Sequence, residues 1–353
     1  MKFEEETNDA IVLLQQLIAI SSISKQEKEA ADFIERFIEM NGYVVSRKKN
    51  NVWLLSPGFD SSKQTILLNS HIDTVKPVSG WTRDPLLPTV ENGKLYGLGS
   101  NDAGASVVSL LHVFFYLTRQ QQSYNLIFSV SSEEEISGEN GIVSLLAELP
   151  KIDFAIVGEP TGMNMAVAEK GLMVLDCIVS GQSGHAARNE GENAIYKALP
   201  DIEWFHTYKF KMKSDLLGPV KMTVTQINAG TQHNVIPDKC TFVVDVRSNE
   251  FYSNEELLVE IREHVGCEVK ARSTRLSSTA TPLNHPVIIR GRELNRIIYG
   301  SPTLSDQALM PFPSLKMGPG NSSRSHTADE YILLTEIEEA LEIYIQLLDG
   351  LKL

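Results

Sequence analysis

The chain has 353 residues and a mass of 39.2 kDa, too long for one ordinary core, so two domains are expected. Hydrophobic residues make up 42% and charged residues 22%, as in ordinary globular proteins, while a net charge of −13 argues against nucleic acid or an anionic membrane as partner. Cys177, Cys240 and Cys267 are widely spaced and odd in number, which argues against a disulfide framework or thiolate zinc site and fits a reducing cytoplasm. The acidic start, MKFEEETNDAIVLL, is not a signal peptide, and no segment has the apolar length of a membrane span.

Apolar residues at helical spacing mark a first helix over Asn8–Ile20. Ser24-Lys25-Gln26-Glu27 reads as a capping box for a second helix that ends at Asn41-Gly42. Strands are predicted over Tyr43–Ser46, Val52–Leu55 and Gln64–Asn69, the last delivering His71 and Asp73 at its end. Asp102–Arg119 reads as a helix whose His112 is a core-edge residue. Tyr124–Ser131 is a buried strand ending in Glu133-Glu134-Glu135. A helix over Asn140–Leu149 and a strand over Ile152–Val157 follow, the strand ending in Gly158-Glu159. This alternation predicts an α/β domain with a mostly parallel sheet, and in such sheets ligands gather beyond the carboxyl ends of the strands.

From Glu169 the pattern changes to strand 173–180, helix 193–205, strands 221–228 and 240–247, helix 253–264 and strand 267–273. The order β-α-β-β-α-β suggests a smaller α+β domain, ferredoxin-like, inserted at 169–281 into a catalytic domain formed by 1–168 and 282–353. A helix over Pro286–Arg296, a strand over Ser314–Met317 and a helix over Leu334–Leu351 complete the larger domain.

His71, Asp102, Glu135, Glu159 and His326 form a nitrogen and oxygen donor set that suits zinc, cobalt or manganese. Five ligands suit two ions if one carboxylate bridges them, and Glu134, beside a ligand, is placed to handle a proton. Each also has an ordinary reading. Glu-Glu-Glu could start a solvated helix, Asp102 could cap its helix, and Glu159 and His326 could sit in surface loops. Coincidence of all five at strand ends and loops favours the metal reading.

The blocks LLNSHIDTV, WTRDPLLPTVENGKLYGLGSNDAG, SVSSEEEISGENG, VGEPT, GQSGHAA, NVIPD with DVR, and HTADE resemble the M20 family of dinuclear zinc amidohydrolases over nearly the whole chain. The nearest resemblance is to enzymes of the acetylornithine deacetylase and succinyl-diaminopimelate desuccinylase type. The resemblance implies a zinc-exopeptidase-like catalytic domain and two Zn2+ ions, with Co2+ able to substitute. His71 and Glu159 would hold one ion, Glu135 and His326 the other, and Asp102 would bridge. Asp73 would orient His71, Glu134 would be the general base and then acid, and His185 would stabilise the oxyanion, often from the partner subunit of a dimer. Asn234 and Arg247 would help bind substrate, Arg247 as a carboxylate clamp. The turn Gly318–Gly320 would line the pocket with free backbone amides, and the Asp102–Ala103 peptide would be cis. Ala103 departs from the Lys or Met that many members carry there.

The implied reaction is hydrolysis of a small N-acyl amino acid, with N-acetylornithine deacetylation in arginine biosynthesis the first expectation. Alternatives are N-acetyl- or N-succinyl-citrulline, N-succinyl-ornithine, N-acetyl-lysine, succinyl-diaminopimelate, and a dipeptidase or carboxypeptidase activity. A non-catalytic binding protein on the same scaffold is the alternative of another class. A homodimer through the inserted domain is also implied.

Overall fold

The computed structural model describes residues 3–188 and 190–353. In chain order the elements are α1 (Glu4–Ile18), α2 (Lys28–Met40), β1 (Ser46–Lys48), β2 (Asn51–Leu55), β3 (Thr65–His71), β4 (Thr89–Glu91), β5 (Lys94–Tyr96), α3 (Ala105–Thr118), β6 (Asn125–Ser131), α4 (Ile142–Leu146), β7 (Phe154–Val157) and β8 (Met165–Glu169). Then come β9 (Met173–Ser180), α5 (Ala194–Thr207), β10 (Lys213–Ser214), β11 (Gly218–Pro219), β12 (Lys221–Ala229), β13 (Lys239–Arg247), α6 (Asn254–His264) and β14 (Glu268–Ala271). The chain ends with β15 (Thr279–Ala280), α7 (Pro286–Glu293), β16 (Ile298–Ser301), β17 (Ser314–Lys316), β18 (Tyr331–Leu333) and α8 (Leu334–Leu348).

Two compact units result. One comprises Met1–Val167, Thr281–Tyr299 and Ser305–Leu353, the other Ala168–Ala280 and Gly300–Leu304. The larger unit is α/β, with a mixed sheet in the order β1-β2-β6-β3-β7-β17-β8. Its centre is parallel: β3 pairs with β6 and β7, and β17 pairs with β7. Every residue of β3, β6 and β7 is buried, which is why each reads as a continuous apolar run and not as an alternation. Register aligns the strand ends. His71 lies opposite Ser131, and Asn69 opposite Val157, so residues just past these strands emerge on one edge. Helix α8 closes the unit, and the fully buried Tyr344 donates its hydroxyl to Met317 O at 2.6 Å.

In the smaller unit the antiparallel sheet runs β12-β13-β9-β14. Alternate residues of β9 and β13 point inward, so Met173, Leu175, Cys177, Cys240, Phe242 and Val244 build a core with Ala198 and Phe205 of α5. The β-α-β-β-α-β order is as the sequence suggests; the short β10–β11 hairpin is additional.

Three local expectations are corrected. Helix α2 begins at Lys28 with no side-chain cap, and the Ser24 and Glu27 side chains point elsewhere. Helix α3 begins at Ala105, because Asp102 and Ala103 have non-helical backbone angles within the turn Ser100–Gly104. Helix α4 has only five residues in place of the ten expected. Among the described residues no helix is long and apolar enough to cross a membrane.

Candidate metal centre

His71, the last residue of β3, is buried. Its Nδ1 lies 2.9 Å from the Asp73 backbone oxygen. A carbonyl only accepts, so Nδ1 carries a proton, and Nε2 is the nitrogen turned to the carboxylates. That Nε2 faces Asp102 Oδ1 at 3.2 Å and Glu159 Oε1 at 3.7 Å. On the other side, His326 Nε2 lies 2.9 Å from Glu135 Oε2 and 3.7 Å from Asp102 Oδ2. Asp102 therefore turns one oxygen to each imidazole.

The turns that carry these side chains are irregular. Glu133 has φ +56° and leads into the single turn Glu134–Ile136. The Asp102–Ala103 peptide is cis, as the resemblance implies. Glu159 follows Gly158, where a Cβ would approach Ser106 Cβ to 2.7 Å. Ligand-type atoms of His71, Glu134 and Glu159 lie within 4.8 Å of one another, as do those of His71, Asp102 and Glu135.

Charge is concentrated here. Burial works against charging His71, yet Asp102, Asp73, Glu134 and Glu159 push it well above the ordinary imidazole value. Burial raises Glu134 well above the usual carboxylate range; Glu159, Asp306 and Glu135 add to it, and His71 opposes. Burial and the Asp102 and Glu135 carboxylates push Glu159 up to about 8, against His71 and Lys316. The hydrogen bond to Glu135 takes His326 up to about 9. Asp102, despite burial, is held low by His71, Ser325 and His326. Four carboxylates thus converge on two imidazoles whose nitrogens point inward. This donor set fits divalent cations that take nitrogen and oxygen ligands.

Asp73 does more than the sequence assigns to it. Its carboxylate sits 3.6 Å from His71 Nδ1, behind the backbone oxygen that the ring uses. Oδ1 accepts the Glu134 N–H at 2.9 Å, and Oδ2 accepts the Glu135 N–H at 3.1 Å and the Ser24 hydroxyl at 2.7 Å. One buried aspartate thereby ties the His71 strand to the turn bearing Glu134 and Glu135.

The glycine turn also differs from expectation. The Gly318 amide is not free: it donates to Thr161 Oγ1 at 3.1 Å. A glycine is required there because a Cβ would lie 2.6 Å from Glu159 O and 2.9 Å from Glu159 N. Gly320 has φ +90°, and its oxygen accepts the Gly162 N–H at 2.7 Å.

The remaining candidates lie in the smaller unit. Exposed His185 bridges to Val235, and the Ala186 N–H donates to Asn234 O at 3.0 Å, so GQSGHAA and NVIPD run side by side. Arg247, at the end of β13, donates Nε and Nη2 to Asp245 at 2.9 and 3.1 Å. A carboxylate clamp formed by Arg247 therefore has both Nη1 hydrogens and the second Nη2 hydrogen to offer while that pair persists.

Sequence reasoning gave no site role to Ser24, Glu27, Asn101, Asp306 or Glu330. Asn101 donates to Asn321 O and Ser325 Oγ, tying the Asp102 turn to the His326 loop. Asp306 lies beneath the site, where its Oδ2 accepts from Ser131 Oγ and Asn69 Nδ2. Asn101 and Glu330 had a visible signal, their places in the WTRDPLLPTVENGKLYGLGSNDAG and HTADE blocks.

Residues 67–350 match Peptidase family M20/M25/M40. The chain is 29% identical to the acetylornithine deacetylase of Proteus mirabilis over 377 residues, with 96% of each covered. It is 30% identical to the succinyl-diaminopimelate desuccinylase of Corynebacterium glutamicum over 365 residues, again with 96% of each covered. Its fold is like that of the solved aminopeptidase PepT from Bacillus cereus, with TM-score 0.77, 16% identity and 98% of each chain covered. It is also like that of a dinuclear metal binding M20 peptidase from Bacillus subtilis, with TM-score 0.72, 17% identity, and 99% of this chain and 100% of that one covered. From its matched residues and the architecture on which they sit, the chain belongs to Peptidase family M20/M25/M40 and is a hydrolase of that family.

Proposed function

We propose that the protein hydrolyses the amide bond of a small N-acyl amino acid at a two-metal centre, with N-acetylornithine the first substrate to test. The observation that carries this reading is the placement of Asp102 between His71 and His326, one oxygen towards each, with Glu134 alongside. His71 and Glu159 would hold one ion, Glu135 and His326 the other, and Asp102 both. Zinc is the proposed metal, with cobalt as substitute; such ions make a water more acidic and polarise a carbonyl.

Glu134 takes the proton from the attacking water as the new C–O bond forms. It returns that proton to the nitrogen as the C–N bond breaks, leaving a carboxylic acid and a free amine. His185 is proposed to donate to the tetrahedral oxyanion, and Asn234 and Arg247 to engage substrate. A homodimer through the smaller unit and a cytoplasmic location complete the proposal.

The names of the relatives support acyl amino acids over peptides, but they divide between acetyl and succinyl substrates. The test is a panel of N-acetylornithine, N-succinyl-diaminopimelate, N-acetyl-citrulline and dipeptides with metal-reconstituted wild type and Glu134→Gln. The variant should keep its metal and lose kcat by several orders of magnitude. Turnover at the wild-type rate would remove Glu134 from the mechanism, and preference for dipeptides would overturn the substrate class.

A further inference from the structure

Two buried glutamates outside the ligand set face the backs of the ligand-bearing turns. Glu27 is fully buried just before α2. Its Oε1 accepts the Glu133 N–H at 3.2 Å and the Lys25 N–H at 2.7 Å, and its Oε2 accepts Asn50 Nδ2 at 3.0 Å. With Asp73 taking the amides of Glu134 and Glu135, three consecutive N–H groups of one turn end on two buried carboxylates. Glu330 is 2% exposed. Its Oε1 accepts the N–H groups of Asn101 at 2.8 Å and Asp102 at 3.0 Å, and its Oε2 accepts that of Gly99 at 3.2 Å. The pattern repeats on both turns: the side chains point towards the proposed ions and the amides towards a buried carboxylate.

Such an arrangement costs more than a neutral one. Each carboxylate is desolvated near other carboxylates, and the donors it meets are amide N–H groups. A helix cap needs neither deep burial nor a partner about a hundred residues away, so capping does not explain Glu27. Charge-assisted bonds to main-chain amides instead fix where a turn aims its side chains. Metal and proton chemistry need that aim held to within about half an ångström.

We propose that Glu27 and Glu330 are positioning residues for the metal centre. Glu27 grips the turn that presents Glu134 and Glu135, and Glu330 grips the turn that presents Asp102. The proposal rests on the metal reading above and adds a division of labour to it. Neither residue touches an ion or substrate, and each acts through the backbone of a residue that does.

The full chain tests this with Glu27→Gln, Glu27→Ala, Glu330→Gln and Glu330→Ala, with Glu134→Gln as reference. Each is titrated with Co2+ by calorimetry and by visible absorption, then assayed for kcat and KM. Glu27→Gln keeps one oxygen for the Lys25 and Glu133 amides, and a flip of the Asn50 amide restores the third bond. It should therefore lose only the charge assistance and be milder than Glu330→Gln. Glu330→Gln sets its NH2 group against the Gly99 N–H and should be intermediate. The two alanine variants should lose about 10- to 100-fold in affinity for at least one ion and a similar factor in kcat, with KM within threefold.

Alanine variants that bind Co2+ and turn over as wild type does would overturn the proposal. If the alanine variants do not fold, the glutamine pair decides: Glu330→Gln indistinguishable from wild type, or Glu27→Gln as damaged as Glu330→Gln, would also overturn it. Full activity in Glu134→Gln would refute the base assignment while leaving the Co2+ isotherms of the other variants to be judged alone.

Discussion

Asp306→Asn should change how the stability of the metal-free protein depends on pH. Asp306 is 4% exposed and accepts hydrogen bonds from Ser131 Oγ at 2.5 Å and Asn69 Nδ2 at 3.0 Å, both through Oδ2. Burial pushes its carboxyl up to about 6 from an ordinary 3.8, against the pull of Ser131, His71 and Asn69. A group raised in the folded state binds its proton more tightly there than in the unfolded chain. Its contribution therefore favours folding below the unfolded value and declines as pH rises from about 4 to about 6. The gap from 3.8 to about 6 corresponds to roughly 3 kcal/mol, an upper figure for a group among other charges. Asparagine keeps the shape, and its oxygen can accept from both Ser131 and Asn69. Its extra hydrogens add a cost that does not vary with pH. Urea melts of apo wild type and apo variant from pH 4 to pH 8 should give a difference that moves towards the variant by about 1–3 kcal/mol between pH 4 and pH 7, then levels. Divalent cations should shrink that change, because they favour the charged aspartate. A difference that is flat with pH, or moves towards wild type, would refute the electrostatic account.

Gly318→Ala should weaken metal binding by about 10- to 100-fold in calorimetric titration, since its Cβ meets the Glu159 backbone at 2.6 Å. Asp73→Asn leaves an amide of the Glu134–Glu135 turn without its acceptor. That should lower kcat by about 10- to 100-fold and stability by about 1–3 kcal/mol, and a wild-type kcat would count against the tie. Chelation should abolish turnover and lower the calorimetric Tm, and ions restored at a hundredfold over Kd should return about 2.7 kcal/mol per site. Phe154→Ala empties a fully buried position stacked on His285 at 4.2 Å and should cost about 3–5 kcal/mol in urea melts, with Co2+ affinity retained.

What the sequence makes legible is what local pattern dictates. The runs ILLN, LIFSV and FAIV are too uniformly apolar for anything but strands covered on both faces, and residues past their ends must emerge together. The smaller unit was legible for the opposite reason: β9 and β13 alternate inward and outward residues. Ser24-x-x-Glu27 misled because the side chains that cap a helix will bind any suitable polar group within reach, for Ser24 a carboxylate and for Glu27 a main-chain amide. Here Asp73 and Glu133 were in reach, brought there by a sheet assembled from residues far along the chain. Asp102 misled similarly. Its apolar sequel is a helix, but its own N–H is taken by Glu330, 228 residues on, and the helix starts three residues later.

Both failures concern carboxylates, and they bear on the net charge of −13. Read from composition, such a charge describes a surface. In the fold, Glu27, Asp73, Glu133, Asp306 and Glu330 are all buried in the larger unit. Main-chain or side-chain amides donate to all five, and hydroxyls to Asp73 and Asp306. Such donors stabilise a charge without cancelling it, yet burial still raises Asp306 to about 6 and Glu330 to about 8 in the metal-free chain, so nearby cations would complete their ionisation. Burial first, then Glu159, Asp306 and Glu135, raises the proton affinity of Glu134, and this cluster of carboxylates draws cations to the place where His71 and His326 turn their nitrogens. The same buried carboxylates therefore set the geometry of the turns and the charge that a pair of divalent ions would balance.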